Sequence, residues 1–278
     1  MKIMFKNQFK RIGSLAILSA VLLVSCTDLE IKETDSIFSE TGGDGFNGVA
    51  DPAASLTNLN NNIRGNLEGQ DNLYALTEVS TDETFVPTRG TDWGDNGIWR
   101  VLHQHTWSPS HNYVLSVWNQ WNQNVFSATE IIDPRSNATS EEVAEAKFLR
   151  AFSMFWIMDL YGQVPFREPD EGPEIEPRVL SRVEAYDFIL SDLDDAINGL
   201  SSTGPNNDAT RFGHKSAARF LKARVLLNSG VYSGAGAPDN AALAEVINLV
   251  NQIEADGYAL QEGFFEIFKS CSRFIYKI

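Results

Sequence analysis

The chain has 278 residues, of which 43% are hydrophobic, and a formal net charge of -15 at pH 7. This acidic excess argues against electrostatic binding to nucleic acids or anionic lipids, because their phosphates would be repelled. The two cysteines provide neither a disulfide framework nor a cysteine-based zinc site, so stability must come from an apolar core, in one large domain or at most two.

The first 25 residues have the pattern of a cleaved lipoprotein signal peptide. Four basic residues precede an apolar run over 12–24, which is too short to span a bilayer as a helix. The run ends in Leu-Val-Ser-Cys, which resembles a bacterial lipobox and implies that Cys26 is acylated and membrane-anchored. The alternative is an ordinary secretory signal or an anchor helix. Removing residues 1–25 removes four basic and no acidic side chains, which lowers the formal charge from -15 to -19.

Residues 26–52 are predicted to be an acylated tether. Asp28, Glu30 and Glu33 follow the cysteine, a pattern similar to the acidic export signal of Bacteroidetes surface lipoproteins. A glycine-rich cluster over 41–45 favours turns, and order is expected from about Pro52. The sequence therefore predicts a domain that is lipid-anchored on the outer face of a cell outer membrane.

Apolar residues spaced three and four apart predict helices over about 53–80, 112–132 and 140–161. Thr139 with Glu142, and Ser181 with Glu184, form capping boxes that start two helices, and further helices follow Gly213 and Asp239. No long segment alternates with period two, so the predicted class is mainly all-α, a helical-repeat scaffold with long irregular loops. The predicted inward faces include Val117, Trp118, Trp121 and Val125; Val183, Tyr186, Leu190 and Leu193; and Leu243, Val246, Ile247, Val250 and Ile253.

Several motifs, in this order along the chain, resemble the SusD/RagB family. They are the runs TDETFVPTRGTDW, HTWSP, EAKFLRAF, DLYGQVPF and RFGHKSAAR, which begin at residues 81, 105, 145, 159 and 211. The resemblance implies a surface lipoprotein with a tetratricopeptide-like core that captures glycans or another nutrient and delivers them to a SusC-like TonB-dependent transporter. Family members are longer, so the domain over 53–268 is expected to be incomplete, from a truncated or frameshifted reading. Residues 269–278 are an atypical tail.

Five tryptophans lie within residues 85–121, and an indole can cover the apolar face of a sugar while polar neighbours bind its hydroxyls. Trp93 lies in a loop flanked by glycines and rich in polar side chains, which favours exposure. Trp107, Trp118 and Trp121 are expected in the core. The predicted ligand-binding residues are Arg89, Trp93, Asp95, Asn96 and Trp99.

Other polar clusters are interpreted as structural. His103, His105 and His111 lack an accompanying acidic motif, and neither a metal nor a cofactor is predicted. Glu141, Glu142 and Glu145 suit the first turns of a helix, and Asp192, Asp194 and Asp195 a solvated helix face. A non-catalytic binding lipoprotein is therefore favoured. The alternatives are a surface glycan hydrolase that uses a carboxylate pair and a helical scaffold without a ligand.

Overall fold

The computed structural model describes residues 45–172, 174–260, 262, 263 and 265. The predictions for the signal peptide over 1–25, for Cys26, for most of the tether and for the tail over 269–278 lie outside these residues. The described part is mainly helical, which confirms the predicted class. None of its helices is both long enough and apolar enough to cross a bilayer.

The helices of the described part begin and end as follows: α1 Pro52–Glu68, α2 Ile98–His103, α3 Asn112–Ile132, α4 Ser140–Tyr161, α5 Arg182–Gly199, α6 Lys215–Leu227, α7 Ser229–Tyr232 and α8 Asn240–Ala255. A π-helical turn spans Ala75–Val79, and 3-10 turns span Asp95–Gly97, Pro134–Ser136 and Asp208–Arg211. Strands β1 (Gln163–Phe166) and β2 (Arg178–Ser181) pair antiparallel, with Gln163 opposite Ser181.

The prediction of a single helix over 53–80 is wrong, because the helix that begins at Pro52 ends at Glu68. The Asp51 carboxylate caps the start of α1 by accepting a hydrogen bond from the amide of Ala54 at 2.9 Å. Gly69 then turns extended, with φ -71° and ψ 141°, and Asn72 adopts a left-handed conformation with φ +52°. Glycine and asparagine are the residues that tolerate such a break. The break separates α1 from the loops that follow it.

Helices α4 and α5 begin as the sequence predicts. The side chains of Thr139 and Ser181 each accept a hydrogen bond from the backbone of a glutamate three residues on, and that glutamate accepts one from the backbone of the capping residue. Helix α4 ends where Gly162 adopts φ +77°, which is the left-handed conformation that closes helices. Local chemistry alone therefore fixes both helix starts and one helix end.

Successive helices pack on one another around one large core. Helix α4 contacts both α3 and α5, α5 contacts α6, and α6 contacts α8, while α1 lies against α3 and α4. This arrangement fits the tetratricopeptide-like fold that the resemblance implies. The largest fully buried side chains of this core include Trp121, Phe155, Met154, Ile157, Met158, Ile189 and Leu193.

The predicted solvated face on α5 is wrong for Asp192, which is 4% exposed. Its two carboxylate oxygens accept hydrogen bonds from Nε and Nη2 of Arg150 at 2.7 and 2.9 Å. Arg150 also lies over the ring of Phe188, with its guanidinium carbon 4.9 Å from the ring centroid. This buried bidentate pair joins α4 to α5, and the Arg150 within the EAKFLRAF run is its cationic half.

The apolar stripe predicted to bury α8 faces solvent over much of its length. Ile247 is 63% exposed and Val250 is 42% exposed, whereas Leu249, outside the predicted stripe, is 2% exposed. Helix α8 packs mainly on α6, and Leu249 of α8 and Leu226 of α6 belong to one buried apolar cluster. A helix that packs mainly on one neighbour buries only part of its apolar face. Val183, also predicted to point inward, is 45% exposed in the first turn of α5.

Residues 46–49, at the end of the predicted tether, contact the helical domain. The amide of Val49 donates a hydrogen bond to Ser136 Oγ at 2.8 Å, and the Phe46 carbonyl accepts one from Arg135 at 2.9 Å. Gly48 passes so close that an added Cβ would lie 2.1 Å from the carbonyl oxygen of Arg135. Only glycine fits there, and this close approach fixes where the chain joins the domain.

Candidate functional site

Residues 69–111, here called the aromatic loop region, connect α1 to α3 and have a small core of their own. The π-helical turn Ala75–Val79 contributes Ala75 and Val79, and α2 contributes Trp99 and Leu102. These four residues are buried, and partly buried side chains that include Val86 and Tyr113 pack around them. Tyr113 is at the start of α3, so the region is fixed against the helical domain.

A tight turn positions the loop that carries Trp93. Arg89 and Asp92 exchange two backbone hydrogen bonds at 3.0 and 2.9 Å, and Gly90 between them has φ +61°. Trp93 itself has φ +57°, which is rare for a bulky residue, and its side chain is 41% exposed. The backbone therefore holds this indole at the surface in a strained conformation.

Trp99 lies beneath Trp93. Trp99 is 5% exposed, and its indole Nε1 donates a hydrogen bond to Asp95 Oδ2 at 2.7 Å. The rings of Trp93 and Trp99 meet edge to face with centroids 5.6 Å apart, and Tyr113 contacts Trp99 from 5.1 Å. Burial, with the nearby charges of Asp71 and Asp95, raises the pKa of Tyr113 to about 12, so its phenol stays protonated at neutral pH.

A groove of about 350 Å³ opens over these rings. Its lining is aromatic, aliphatic and polar, and consists of Gln70, Tyr74, Val79, Thr84, Phe85, Val86, Pro87, Arg89, Trp93 and Trp99. A smaller recess adjoins it, since Phe85, Val86, Trp93 and Trp99 line both, and Arg100 lines the smaller one. Such a concave, mostly apolar surface with a few polar groups is typical of ligand sites.

The structure brings three of the five predicted ligand-binding residues to the groove. Arg89, Trp93 and Trp99 line it, although Trp99 is its buried floor rather than an exposed platform. Asp95 binds the Trp99 indole, and its backbone φ is +37°. Asn96 is exposed beside it, with φ +53°, and lines neither recess.

Sequence reasoning missed Tyr74 and Phe85, which are 47% and 64% exposed at the groove. A signal was available for Phe85, because it lies between Thr84 and a Val-Pro pair that cannot continue a helix. The expectation that Trp107 is buried is wrong, since Trp107 is 42% exposed and lies edge-on to His105. Trp118, expected in the core, packs against it from a partly exposed position.

The three histidines contact different groups. His111 caps α3, with Nδ1 accepting from the amide of Tyr113 at 3.2 Å, while Nε2 donates to the Ile98 carbonyl at 3.1 Å. His105 Nε2 donates to the Ser80 carbonyl at 2.6 Å, and His103 lies edge-on to Phe85. Within the described residues, no three His, Cys, Asp or Glu side chains converge as a metal site would need.

The glutamates at the start of α4 join helices and cap α4. Glu142 completes the capping box, and Glu141 accepts a hydrogen bond from Ser201 at 2.7 Å. Glu145 accepts hydrogen bonds from Asn60 at 2.9 Å and from the amide of Gly213 at 3.1 Å. The structural interpretation of these three residues agrees with these contacts.

Comparison with known proteins identifies the family. The profile described as "SusD-like: Susd and RagB outer membrane lipoprotein" matches residues 53–229, a range that contains the whole aromatic loop region. The chain belongs to this SusD/RagB family. It is 24% identical to the starch-binding protein SusD of Bacteroides thetaiotaomicron over 96% of this chain, and it covers 49% of that relative's length. The SusD-like chain thus spans about half of this relative.

Solved structures share the fold of this SusD-like chain. The surface glycan-binding protein A from Bacteroides fluxus is 21% identical, with a TM-score of 0.64 over 81% of this chain and 48% of its own. The surface glycan-binding protein A from Bacteroides thetaiotaomicron, in complex with laminarihexaose, is 15% identical, with a TM-score of 0.61 over 80% of this chain and 46% of its own. At these identities the likeness shows the fold alone.

Proposed function

We propose that this chain is a cell-surface lipoprotein that binds oligosaccharides in the aromatic groove and delivers them to a SusC-like TonB-dependent transporter. The observation that carries the proposal is the groove itself, where exposed Trp93 and Phe85 stand beside Arg89 above the buried Trp99. The relatives point the same way, since one is named for starch binding and another was solved with laminarihexaose.

Sugars suit this surface because each ring presents both apolar CH groups and hydroxyls. The flat indole of Trp93 covers the CH face, and Arg89 donates hydrogen bonds to hydroxyl oxygens. Asp95 acts indirectly, by fixing the Trp99 ring through the 2.7 Å hydrogen bond. Asn96 is proposed to reach the ligand from the rim of the groove, where its side chain is exposed.

Replacing Trp93 with alanine tests the groove. We expect Trp93→Ala to weaken oligosaccharide binding about tenfold, because a stacked indole contributes ~1–2 kcal/mol more than a methyl group can. Trp107→Ala is a matched control, since the two indoles are 41% and 42% exposed but Trp107 lines neither recess. Calorimetric titration with starch, laminarin and xyloglucan oligosaccharides measures both. Equal loss of affinity in the two variants would exclude Trp93 as a specific platform.

We infer binding without cleavage. Hydrolysis needs two carboxyl groups on either side of the glycosidic bond, about 5–9.5 Å apart. Among the described residues that line the two recesses, none is an aspartate or glutamate. Incubation of each bound oligosaccharide with the protein should release no new reducing ends. Turnover that one carboxylate substitution abolishes would favour a hydrolase instead.

The lipid anchor rests on the sequence of the signal and on the family description as an outer-membrane lipoprotein. Acylation of Cys26 would attach the mature chain to the outer membrane with its domain facing outward. Labelled palmitate should be incorporated by the wild type and not by Cys26→Ala, which should be released from the membrane. Equal labelling of the two proteins would contradict the assignment.

The transporter partnership rests on the family resemblance. We expect a SusC-like protein to co-purify with this lipoprotein from detergent-solubilised outer membranes. Recovery of the lipoprotein as a single species without a transporter would count against the partnership, and it would leave oligosaccharide binding by the groove to be judged separately.

A further inference from the structure

The groove carries a charge opposite to that of the chain. The protein has 37 acidic and 22 basic side chains, yet the residues lining the two recesses include Arg89 and Arg100 and, among those that the structure describes, no aspartate or glutamate. Arg89 lines the larger recess and Arg100 the smaller one, and both side chains are exposed. An acidic protein therefore presents cations where its ligand would lie.

These two guanidinium groups are not used to hold the fold. In the described ranges neither Arg89 nor Arg100 forms an ion pair, whereas Arg135, Arg150 and Arg219 are each paired with an aspartate. Arg167 and Arg224 are held in other ways, by hydrogen bonds to the carbonyls of Gly172 and Ile175 and by the rings of Phe155 and Trp156. In the part of the chain that the structure describes, the side chains of Arg89 and Arg100 have no such contact.

The two aspartates nearest in sequence make other contacts. Asp95 accepts the hydrogen bond of the Trp99 indole, and Asp92 is joined to Arg89 through backbone groups alone. The planar fork of Arg89 is left free to bind an anion with two hydrogen bonds, as guanidinium groups bind carboxylates and sulfates.

We propose, on the basis of the proposed function, that the groove is selective for anionic oligosaccharides. A carboxylate or sulfate group of the sugar pairs with Arg89, the CH face of the same or the adjacent residue stacks on Trp93, and Arg100 provides a second cation beside the Trp93–Trp99 pair. Neutral glucans such as starch and laminarin oligosaccharides would then bind this groove less tightly than oligosaccharides that contain uronates or sulfate groups.

A matched pair of ligands tests whether the groove prefers a negatively charged oligosaccharide. Oligogalacturonides can be compared by calorimetry with the same oligosaccharides after chemical reduction of their carboxyl groups to alcohols, and sulfated oligosaccharides form a second arm. We expect the charged oligogalacturonide to bind about tenfold tighter at low salt, an advantage that shrinks at high salt because ions screen exposed charges. Tighter binding in only one arm identifies which anionic group the site accepts.

Matched variants locate the effect. Arg89→Gln should remove most of the preference for the charged ligand, while Arg89→Lys keeps part of it. Arg64→Gln removes the same charge from an exposed position on α1, where Arg64 donates a hydrogen bond to Asn61 and lines neither recess, and it should leave the preference unchanged. Equal losses in Arg89→Gln and Arg64→Gln would show a general charge effect and overturn the proposal.

The outcomes separate this inference from the function on which it rests. Equal affinity for the charged and reduced ligands, with Arg89→Gln unchanged, overturns anion selectivity while leaving oligosaccharide binding in place. Absence of binding to every charged and neutral oligosaccharide by a protein with intact helical circular dichroism overturns both proposals.

Discussion

The aromatic loop region and the helical domain over 112–255 differ in how many of their residues have a positive backbone φ. Of the six non-glycine residues with positive φ in the described chain, five lie in the loop region: Asn72, Trp93, Asp95, Asn96 and His105. The helical domain contains the sixth, Asn137, in a turn between helices. Asparagine and aspartate tolerate left-handed conformations, so the steric cost falls mainly on Trp93 and His105, both in the aromatic loop region.

In the helical domain, two charged groups with buried or half-buried surroundings are paired across helices. Arg150 meets Asp192, and Tyr232 donates a hydrogen bond to Asp159 at 2.7 Å. In the loop region, Arg89 and the exposed ring of Trp93 face the groove. The helical domain thus provides a packed support on which the loop region presents Trp93 and Arg89 to a ligand.

The largest expected effect on stability comes from removing the cation of the buried Arg150–Asp192 pair. We expect Arg150→Met to lower the free energy of unfolding by about 3–5 kcal/mol, because it leaves the carboxylate of Asp192 buried without a cation. Urea denaturation measures the loss. The double variant Arg150→Met with Asp192→Leu should recover much of it, and oligosaccharide affinity of the folded protein should not change in either. A weakened affinity would mean that the two regions are energetically coupled.

The next test compares two neighbouring tryptophans of α3. Trp121→Ala should cost about 3–5 kcal/mol, because its ring is fully buried between Phe152 and Trp156. Trp118→Ala should cost about half as much, since Trp118 is partly exposed and contacts Tyr161 at the edge of the core. Thermal and urea melts of both variants check the ranking. Equal costs would place Trp118 inside the core.

The sequence predicted the helical domain well because its signals are local. Capping pairs such as Thr139 with Glu142, and the glycine after α4, each act within a few residues of the helix end that they fix. The buried pair of Arg150 with Asp192 was missed, because 42 residues separate its members and both resemble ordinary surface charges. A single sequence does not indicate which charged side chains form a buried pair.

The groove was predicted only in part. Polar, glycine-rich surroundings identified Trp93 as exposed, since such a segment cannot bury a helix face. The burial of Trp99 depends on the hydrogen bond to Asp95 and on the ring contact with Tyr113, which lies in another helix. This contact between helices and the positive φ values of Trp93 and Asp95 have no periodic sequence pattern.

A smaller test addresses the strain at Trp93 directly. Trp93→Gly and Trp93→Ala both lose the ring, but only glycine adopts φ +57° without a steric cost. We therefore expect the glycine variant to be more stable than the alanine variant by about 1 kcal/mol, while both bind oligosaccharide equally poorly. Urea denaturation compares the two. An alanine variant of equal or greater stability would show that the backbone is not strained once the ring is gone.

The smallest expected effect is a pH dependence within the helical domain. His214 caps α6 by accepting a hydrogen bond from the amide of Ala217, and its ring stacks on Tyr258 with centroids 5.9 Å apart. Burial lowers the pKa of His214, against the opposing charge of Asp256. The folded state therefore binds the proton less readily than the unfolded chain, whose histidine has a pKa of about 6.5. The stability that comes from this difference is present above about pH 6.5 and is lost as the pH falls from there through the lower pKa of the folded state.

His214→Asn isolates this effect, because asparagine also caps helices but does not titrate in this range. We expect the wild type to lose stability relative to His214→Asn as the pH falls from about 7.5 to about 5. Burial raises the pKa of Glu130, which works in the opposite direction at lower pH, but this glutamate is present in both proteins and cancels from their difference. Urea denaturation at each pH measures that difference. A constant difference across the range would show that protonation of His214 does not affect folding stability.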